Sequence, residues 1–523
     1  MNYADLFRVT LPETALEVAA LIILIVDLGF LRKAELKVRV TVAALSGVAG
    51  CGVALWTISL QNGSGFFVDG WEVLAVGPVT IIAQVGILVL TAFTLFLLID
   101  ETFTGHVGEF VAVVLMGAAG GLVVSAAQDL LVIFIGLELL SLSLYILTAF
   151  AKRSGKSAEA ALKYYLFGGM SAAFLLFGFS YLYGLGGSTN LIAIKHHVDA
   201  GAVPLLCVAW VLVVAGLGFK VAAVPFQLWA PDTYEGAPIP SAAFIASVSK
   251  VASFTLLINI CFGLLAPGYD LWAGYVQAVN QGLKIEFSVL QPLTAVLLVV
   301  AASSMVFGNL AALAQVSVRR LLAYSAIAHA GYILLGIGVY QHYNGEPDAL
   351  RFAVDSFRPV FASTNAVLFY ILTYGLTTIG AFGVVSVVER ATGSVRLDSF
   401  RGLHKRNPLL AAVLLVLFLS LAGIPPLVGF WAKFNLFAAV LGVSAGPVPF
   451  ALVALAVALS AVSLYYYLQV LKRAYVMPAI DESPIKAHPV TMAVLLVIAA
   501  AVVVLGCFPA LLQNWIASFY PAM

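Results

Sequence analysis

The chain has 523 residues, of which 62% are hydrophobic and 10% charged, with a formal net charge of +1. This balance excludes a soluble globule around a single core and describes a polytopic membrane protein; without a basic excess, no nucleic-acid partner is expected. Cys51, Cys207, Cys261 and Cys507 each stand alone in an apolar run with no CxxC, so cysteine-ligated clusters, haem attachment and a disulfide framework are not expected, and neither a metal site nor a nucleotide motif is evident.

The first apolar run, Leu16 to Leu31, follows Glu13 and Glu17 and leads into Arg32 and Lys33 with no small-residue cleavage site. It reads as a spanning helix and not as a signal peptide. At about 20 apolar residues per span, the sequence predicts fourteen helices, at roughly 11–31, 40–60, 76–99, 109–126, 129–150, 163–185, 204–229, 240–264, 291–313, 320–340, 364–388, 409–442, 449–471 and 489–508. An even count places both termini on one side of the membrane.

Lysine and arginine bias sets the orientation. Seventeen of them (Arg32, Lys33, Lys37, Arg39, Lys152, Arg153, Lys156, Arg319, Arg320, Arg390, Arg396, Arg401, Lys405, Arg406, Lys472, Arg473 and Lys486) fall in one set of alternate loops. Only five, Arg8, Lys195, Lys284, Arg351 and Arg358, fall in the other. The first set is therefore expected in the cytoplasm and both termini in the periplasm. Lys163, Lys220, Lys250 and Lys433 are left over.

Lys220 lies in GLGFKVAAVPFQLWAPDTYEGAPIP. A lysine at the centre of a helix in lipid costs about 2.5–3.5 kcal/mol and normally faces protein or water for a functional reason. Pro225, just beyond it, removes a backbone donor and predicts a helix break, which is tolerated at membrane depth only over protein or a wet cavity. The twelfth span repeats the device. Its length of about 34 residues would reach roughly 50 Å against a 30 Å hydrocarbon core, and it contains LAGIPPLVGFWAKF, with Pro425 and Pro426 ahead of Lys433.

The paired breaks suggest an internal repeat. AALKYYLFGG in the sixth span lies against AVLFYILTYG in the eleventh, and LLVIFIGLE in the fifth against LLAYSAIAH in the tenth, which sets Glu138 opposite His329. Two units of five helices follow, and because five is odd the second is inverted in the membrane. The expected organisation is an N-terminal three-helix segment (1–108), a first repeat (109–264), a second, inverted repeat (291–471), and a C-terminal helix with an outer tail (472–523). The fold class is an all-α polytopic membrane protein.

Glu138, Lys220, Lys250, His329 and Lys433 form a series of ionisable groups near mid-span across both units. Burial disfavours a charged amine and a nearby carboxylate restores it, so moving Glu138 relative to Lys220 would switch the amine between holding and releasing a proton. Plainer readings exist for each: static salt bridges for Lys220, Lys433 and Glu138, a structural or snorkelling role for Lys250, and a neutral packed histidine for His329. Lys163, one turn inside a cytoplasmic helix end, is either snorkelling or the place where protons come in. Asp27 is expected to be bonded near the inner end of the first helix, His196 and His197 to lie in a solvated outer loop, and Tyr465 to Tyr467 to pack and anchor at the interface.

Taken together, GFKVAAVPFQLWAPDTYEGAP, SVSKVASF, RRLLAYSAIAHAGYILLG and LAGIPPLVGFWAKF resemble the antiporter-like membrane subunits of bacterial NADH-quinone oxidoreductase, respiratory complex I, and most closely subunit N. A lysine at position 433, an end after the last predicted span without a lateral helix, and the wording around Lys220 carry that preference. The resemblance implies a non-redox subunit in which Glu138 and Lys220 form a coupling pair, Lys250 and His329 pass the proton along the membrane axis, and Lys433 gates its release. It implies FMN, iron–sulfur clusters and quinone in other subunits, and neighbouring antiporter-like and small membrane subunits as partners. A Mrp-type cation/proton antiporter subunit, the membrane arm of a hydrogenase or ferredoxin-linked complex, and a purely structural spacer are the alternatives. The segments Gln277 to Gln291 and Gln341 to Ser363 are longer than that resemblance leads one to expect.

Overall fold

A computed structural model of the chain describes residues 3–61, 65–68, 71–197, 203–265, 290–339, 357–443 and 446–520. The described elements are α1 (Tyr3–Val9), α2 (Leu11–Ile25, prolonged by a π turn, Val26–Phe30), α3 (Leu36–Ile58), β1 (Gly65–Val68), β2 (Trp71–Ala75), α4 (Pro78–Leu98), α5 (Val107–Ala126), α6 (Leu130–Thr148), α7 (Gly155–Gly186), α8 (Leu191–His197), α9 (Val203–Val221), α10 (Trp229–Gly236), α11 (Ile239–Ala246), α12 (Val248–Leu265), α13 (Leu290–Leu313), α14 (Val318–Val339), α15 (Phe357–Thr392), α16 (Leu403–Arg406), α17 (Pro408–Ala422), α18 (Val428–Val443), α19 (Pro447–Tyr475), α20 (Pro489–Cys507) and α21 (Ala510–Ala517). Among them, twelve helices are long and apolar enough to cross a membrane, while α17 and α18 are shorter apolar pieces.

Local chemistry starts and stops these helices. The Asp129 carboxylate caps α6 by accepting from the backbone of Leu131 at 2.9 Å, and the Asn407 side chain caps α17 by accepting from Leu410 at 3.0 Å; both satisfy donors that a helix start leaves open. Proline stands in the first turn of α2, α4, α17, α19 and α20, where its missing N–H is harmless. Among the described residues, β1 and β2 form the one two-stranded sheet, an antiparallel hairpin.

Burial ranks the helices. The spanning window over α11 and α12 is 100% buried, and those of α14 and α15 are 94% buried, against 33% for α7 and 28% for α19. The central helices are thus the ones that carry Lys250 and His329, and the lipid-facing ones enclose them.

Several predicted spans are built differently. The seventh ends at Val221 instead of 229, the eighth is divided into α11 and α12 at Ser247, and the twelfth is divided into α17 and α18. The sixth and eleventh are longer than predicted, at 32 and 36 residues. His196 and His197 close helix α8 and are not in a loop. In the two long segments, Gln277 to Gln291 and Gln341 to Ser363, α13 begins at Leu290 and α15 at Phe357; the rest of both, with Lys284 and Arg351, lies outside the described residues.

Loops of the basic set contact one another. The Arg39 guanidinium donates twice to the Asp27 carboxylate, at 2.7 Å each, and the Gly108 backbone donates to the same carboxylate at 3.1 Å; Asp27 is bonded as expected. Ser317 pairs with Arg396, and Arg406 donates to the Ser483 carbonyl at 3.0 Å. In the 99–106 loop, Glu101 accepts from Ser386 at 2.6 Å. Burial pushes its carboxyl above the ordinary carboxylate range, against that hydrogen bond and the nearby Arg390.

Candidate functional site

The first break follows Val221. Ala222 takes a left-handed φ of 60°, and the stretch up to Leu228 is irregular. At membrane depth its backbone groups need partners within the protein, and they have them: the Val224 N–H donates to Ser304 Oγ at 2.9 Å and the Trp229 indole donates to the Phe219 carbonyl at 2.9 Å. Lys220, in the last turn before the break, is 8% exposed.

Its amine donates to Ser141 Oγ on α6 at 2.5 Å. Ser141 lies three residues beyond Glu138 on α6, and among the described residues Glu138 forms no ion pair with Lys220 within 4.0 Å. Glu138 itself is half-buried.

Lys250, buried near the start of α12, donates to the Ala326 carbonyl of α14 at 2.5 Å and lies 5.6 Å from the centre of the Tyr374 ring. One turn along α14 is His329. Its Nδ1 pairs with the Tyr370 hydroxyl at 2.8 Å, and its Nε2 lies 3.5 Å from the Tyr467 hydroxyl, which in turn bonds Ser325. The Tyr374 ring packs on the His329 ring at 4.8 Å between centroids, so one aromatic side chain touches both titratable groups.

The second break runs from Gly423 to Leu427. Gly423 ends α17 with a left-handed φ of 88°, as a C′ glycine does, and the Gly429 N–H donates to Ser420 Oγ at 3.1 Å. Lys433 donates to the terminal carbonyls of α17, Leu421 at 3.2 Å and Ala422 at 2.9 Å, and to Ser460 Oγ at 2.8 Å. A cation at the carbonyl end of a half-helix is favoured by the helix dipole. The same amine lies 5.5 Å from the Tyr332 ring, which packs edge-on against His329. A small cavity lined by His329, Tyr370, Tyr374, Thr377 and Ser420 lies between the histidine and this break.

Lys250, His329 and Lys433 are 3%, 4% and 5% exposed, so each is directed into the protein and away from lipid. They converge on one cluster of tyrosines, whereas Lys220 is held by Ser141, three residues beyond Glu138 on α6. Lys163 is bound to Glu159 at 2.7 Å and Asp232 at 2.8 Å, which makes it part of an ion cluster instead of a free snorkelling cation. Asp232 also binds Arg320 at 2.8 Å.

Two sequence expectations are corrected by burial. Arg319 is not a solvated loop cation: it is 4% exposed, donates to the Tyr234 carbonyl at 2.8 Å and to that of Ala237, and faces Glu389 at 3.4 Å. Of the aromatic run, Tyr465 is exposed, but Tyr466 and Tyr467 are buried and join the polar cluster instead of anchoring at an interface. Ser141, Tyr370, Tyr374 and Ser460 were not foreseen. Spacing offers a signal for some: Ser141 is i+3 from Glu138, and Ser325 is i−4 from His329, each on a shared helix face.

The family described as "NADH:quinone oxidoreductase/Mrp antiporter, TM" matches residues 127–279, 273–350 and 357–463. NADH-quinone oxidoreductase subunit N 2 of Acidobacterium capsulatum is 45% identical over 99% of both chains. Subunit N of Desulfovibrio desulfuricans is 36% identical over 97% of this chain and 96% of its own. Among solved structures, a chain of respiratory complex I from Thermus thermophilus with bound aureothin is 32% identical, with a TM-score of 0.73, covering 96% of this chain and 98% of that one. A chain of the Mrp complex from Dietzia sp. DQ12-45-1b, 20% identical with a TM-score of 0.76 over 98% of this chain and 96% of its own, shares the fold. With full-length identity to subunit N and a family match across both predicted repeats, this chain belongs to the NADH:quinone oxidoreductase/Mrp antiporter membrane family, as an antiporter-like subunit N of NADH-quinone oxidoreductase.

Proposed function

We propose that the chain moves protons from cytoplasm to periplasm while quinone is reduced elsewhere in its complex, through Glu138, Lys220, Lys250, His329 and Lys433. The observation that carries this reading is that the four basic groups are all buried, and each is held by a hydroxyl or carbonyl from another helix or from across a helix break. Such donors and acceptors let a group keep, give and regain a proton without exposure to lipid. Lys163, in its cluster with Asp232, stands where protons would come in. No redox step is assigned to this chain; FMN, iron–sulfur clusters and quinone would belong to other subunits, with antiporter-like and small membrane subunits as neighbours. The bacterial inner membrane, with both termini in the periplasm, is the corresponding location. The subunit N relatives support this reading over a Mrp-type antiporter.

The test is NADH-driven proton pumping in inverted membrane vesicles containing the whole complex. Lys220→Ala and Lys433→Ala are each expected to lower pumping by about tenfold or more, as for groups needed in the translocation step itself. Normal pumping by both variants would overturn the relay.

A further inference from the structure

Against Lys220, three residues along α6 from Glu138, the structure places a group that the sequence did not suggest. Ser141 is buried on α6, its Oγ 2.5 Å from the Lys220 amine, and the same Oγ is bonded to the Leu137 carbonyl one turn back. An ammonium can only donate, and a hydroxyl has one proton and two lone pairs. When Lys220 is charged, Nζ–H donates to Oγ, which leaves the hydroxyl proton for the Leu137 oxygen or for the neighbouring Tyr145 hydroxyl. The bond to Leu137 is dispensable, because the Leu137 carbonyl already takes the helical i→i−4 hydrogen bond.

We infer that Ser141 is a positioning residue of the relay: its hydroxyl accepts from the Lys220 ammonium, and turns to donate to the neutral amine once the proton has passed to water. The step conserves protons. One N–H bond of the ammonium breaks, one O–H bond of a hydronium forms, and the amine lone pair that remains takes the Ser141 O–H, which leaves its earlier acceptor. Ser141 keeps its own proton throughout. The inference rests on the relay proposed above and deepens it, since Glu138, at i−3 on the same helix, then acts on Lys220 alongside a hydroxyl instead of by direct ion pairing. A rotor of this kind gives the first break two discrete arrangements that differ only in where one O–H points, and both keep the amine on the α6 side.

The experiment compares Ser141→Thr and Ser141→Val in the assembled complex, two side chains of the same shape that differ by the hydroxyl. NADH-driven pumping in vesicles is measured per complex, with assembly checked on native gels. Threonine is expected to stay within about twofold of wild type and valine to fall about tenfold, the scale of a lost hydrogen bond to a charged group. Equal pumping by the two overturns the role. Should the valine complex not assemble, Ser141→Ala takes its place: a tenfold loss supports the role and wild-type pumping removes it. Lys220→Ala is run in parallel. If that variant pumps normally, Lys220 carries no proton and the role of Ser141 falls with it, whereas an inactive Lys220→Ala beside an active Ser141→Val removes the serine alone.

Discussion

A lysine in a lipid-embedded helix is conspicuous because charge is expensive there, and that single cost made Lys220, Lys250 and Lys433 legible in the sequence. Serine and tyrosine carry no such signal. They are cheap to bury once bonded, so Ser460, which holds Lys433 at 2.8 Å, and Tyr467, beside His329, look in the sequence like any other residue of an apolar helix. Gly423 was likewise not singled out in the sequence, and the structure shows what it faces. A Cβ at Gly423 would stand 3.0 Å from Lys433 Cδ and 3.2 Å from Nζ, in a backbone with φ +88°. Gly393 has a similar φ of +67° with nothing within 4 Å. Alanine at either position should cost about 1–2 kcal/mol of backbone strain, read as a comparable loss of thermal stability in the purified complex. Gly423→Ala alone should also lower proton pumping, because it displaces the amine; equal pumping by Gly423→Ala and Gly393→Ala would show that Lys433 does not depend on the cap.

At the scale of helices, prolines announced both breaks, since neither Pro225 nor the pair Pro425 and Pro426 can complete a helical ladder. The division between α11 and α12 at Ser247 had no such announcement: ASVSK contains neither proline nor glycine, and the turn there is imposed by packing. Arg319 was misplaced for a related reason. Counting basic residues by loop sums their charge without saying which one turns inward, and of the neighbours Arg319 and Arg320 only the first is buried. Its guanidinium ties the end of α10 and the start of α11 to α14 and reaches Glu389 on α15, so it joins the region after the first break to the helix that carries His329. Removing one partner from a buried charge network costs about 3–5 kcal/mol. Arg319→Ala should therefore deplete the chain from the purified complex. Arg320→Ala should cost about 1 kcal/mol or less, because its pairs with Asp232 and Glu235 are partly exposed and Asp232 keeps Lys163 at 2.8 Å. Similar amounts of both variants in the complex, measured by immunoblot against another subunit, would contradict this division of labour.

Over the whole chain, alternation of loops is the property the sequence carried best, because it depends on composition summed over many residues and not on any one contact. The structure groups the loops in the same way. Asp232, between the seventh and eighth predicted spans, binds both Lys163 and Arg320, while the Gln128 backbone donates to Val73 at 2.9 Å and the Asn190 side chain donates to Glu72 at 2.7 Å, joining loops of the sparsely charged set. From the seventeen-to-five division of basic residues, the first set is expected to face the cytoplasm. A reporter joined to the C terminus decides it. Alkaline phosphatase, active only after export, should be active when fused after the last residue and inactive when the chain is cut and fused after Lys405, in a loop of the basic set. Green fluorescent protein, which folds to its fluorescent form in the cytoplasm, should give the opposite pair of results. The reverse pattern in both reporters would turn the chain over in the membrane, and with it the direction of the relay proposed to run from Lys163 to Lys433.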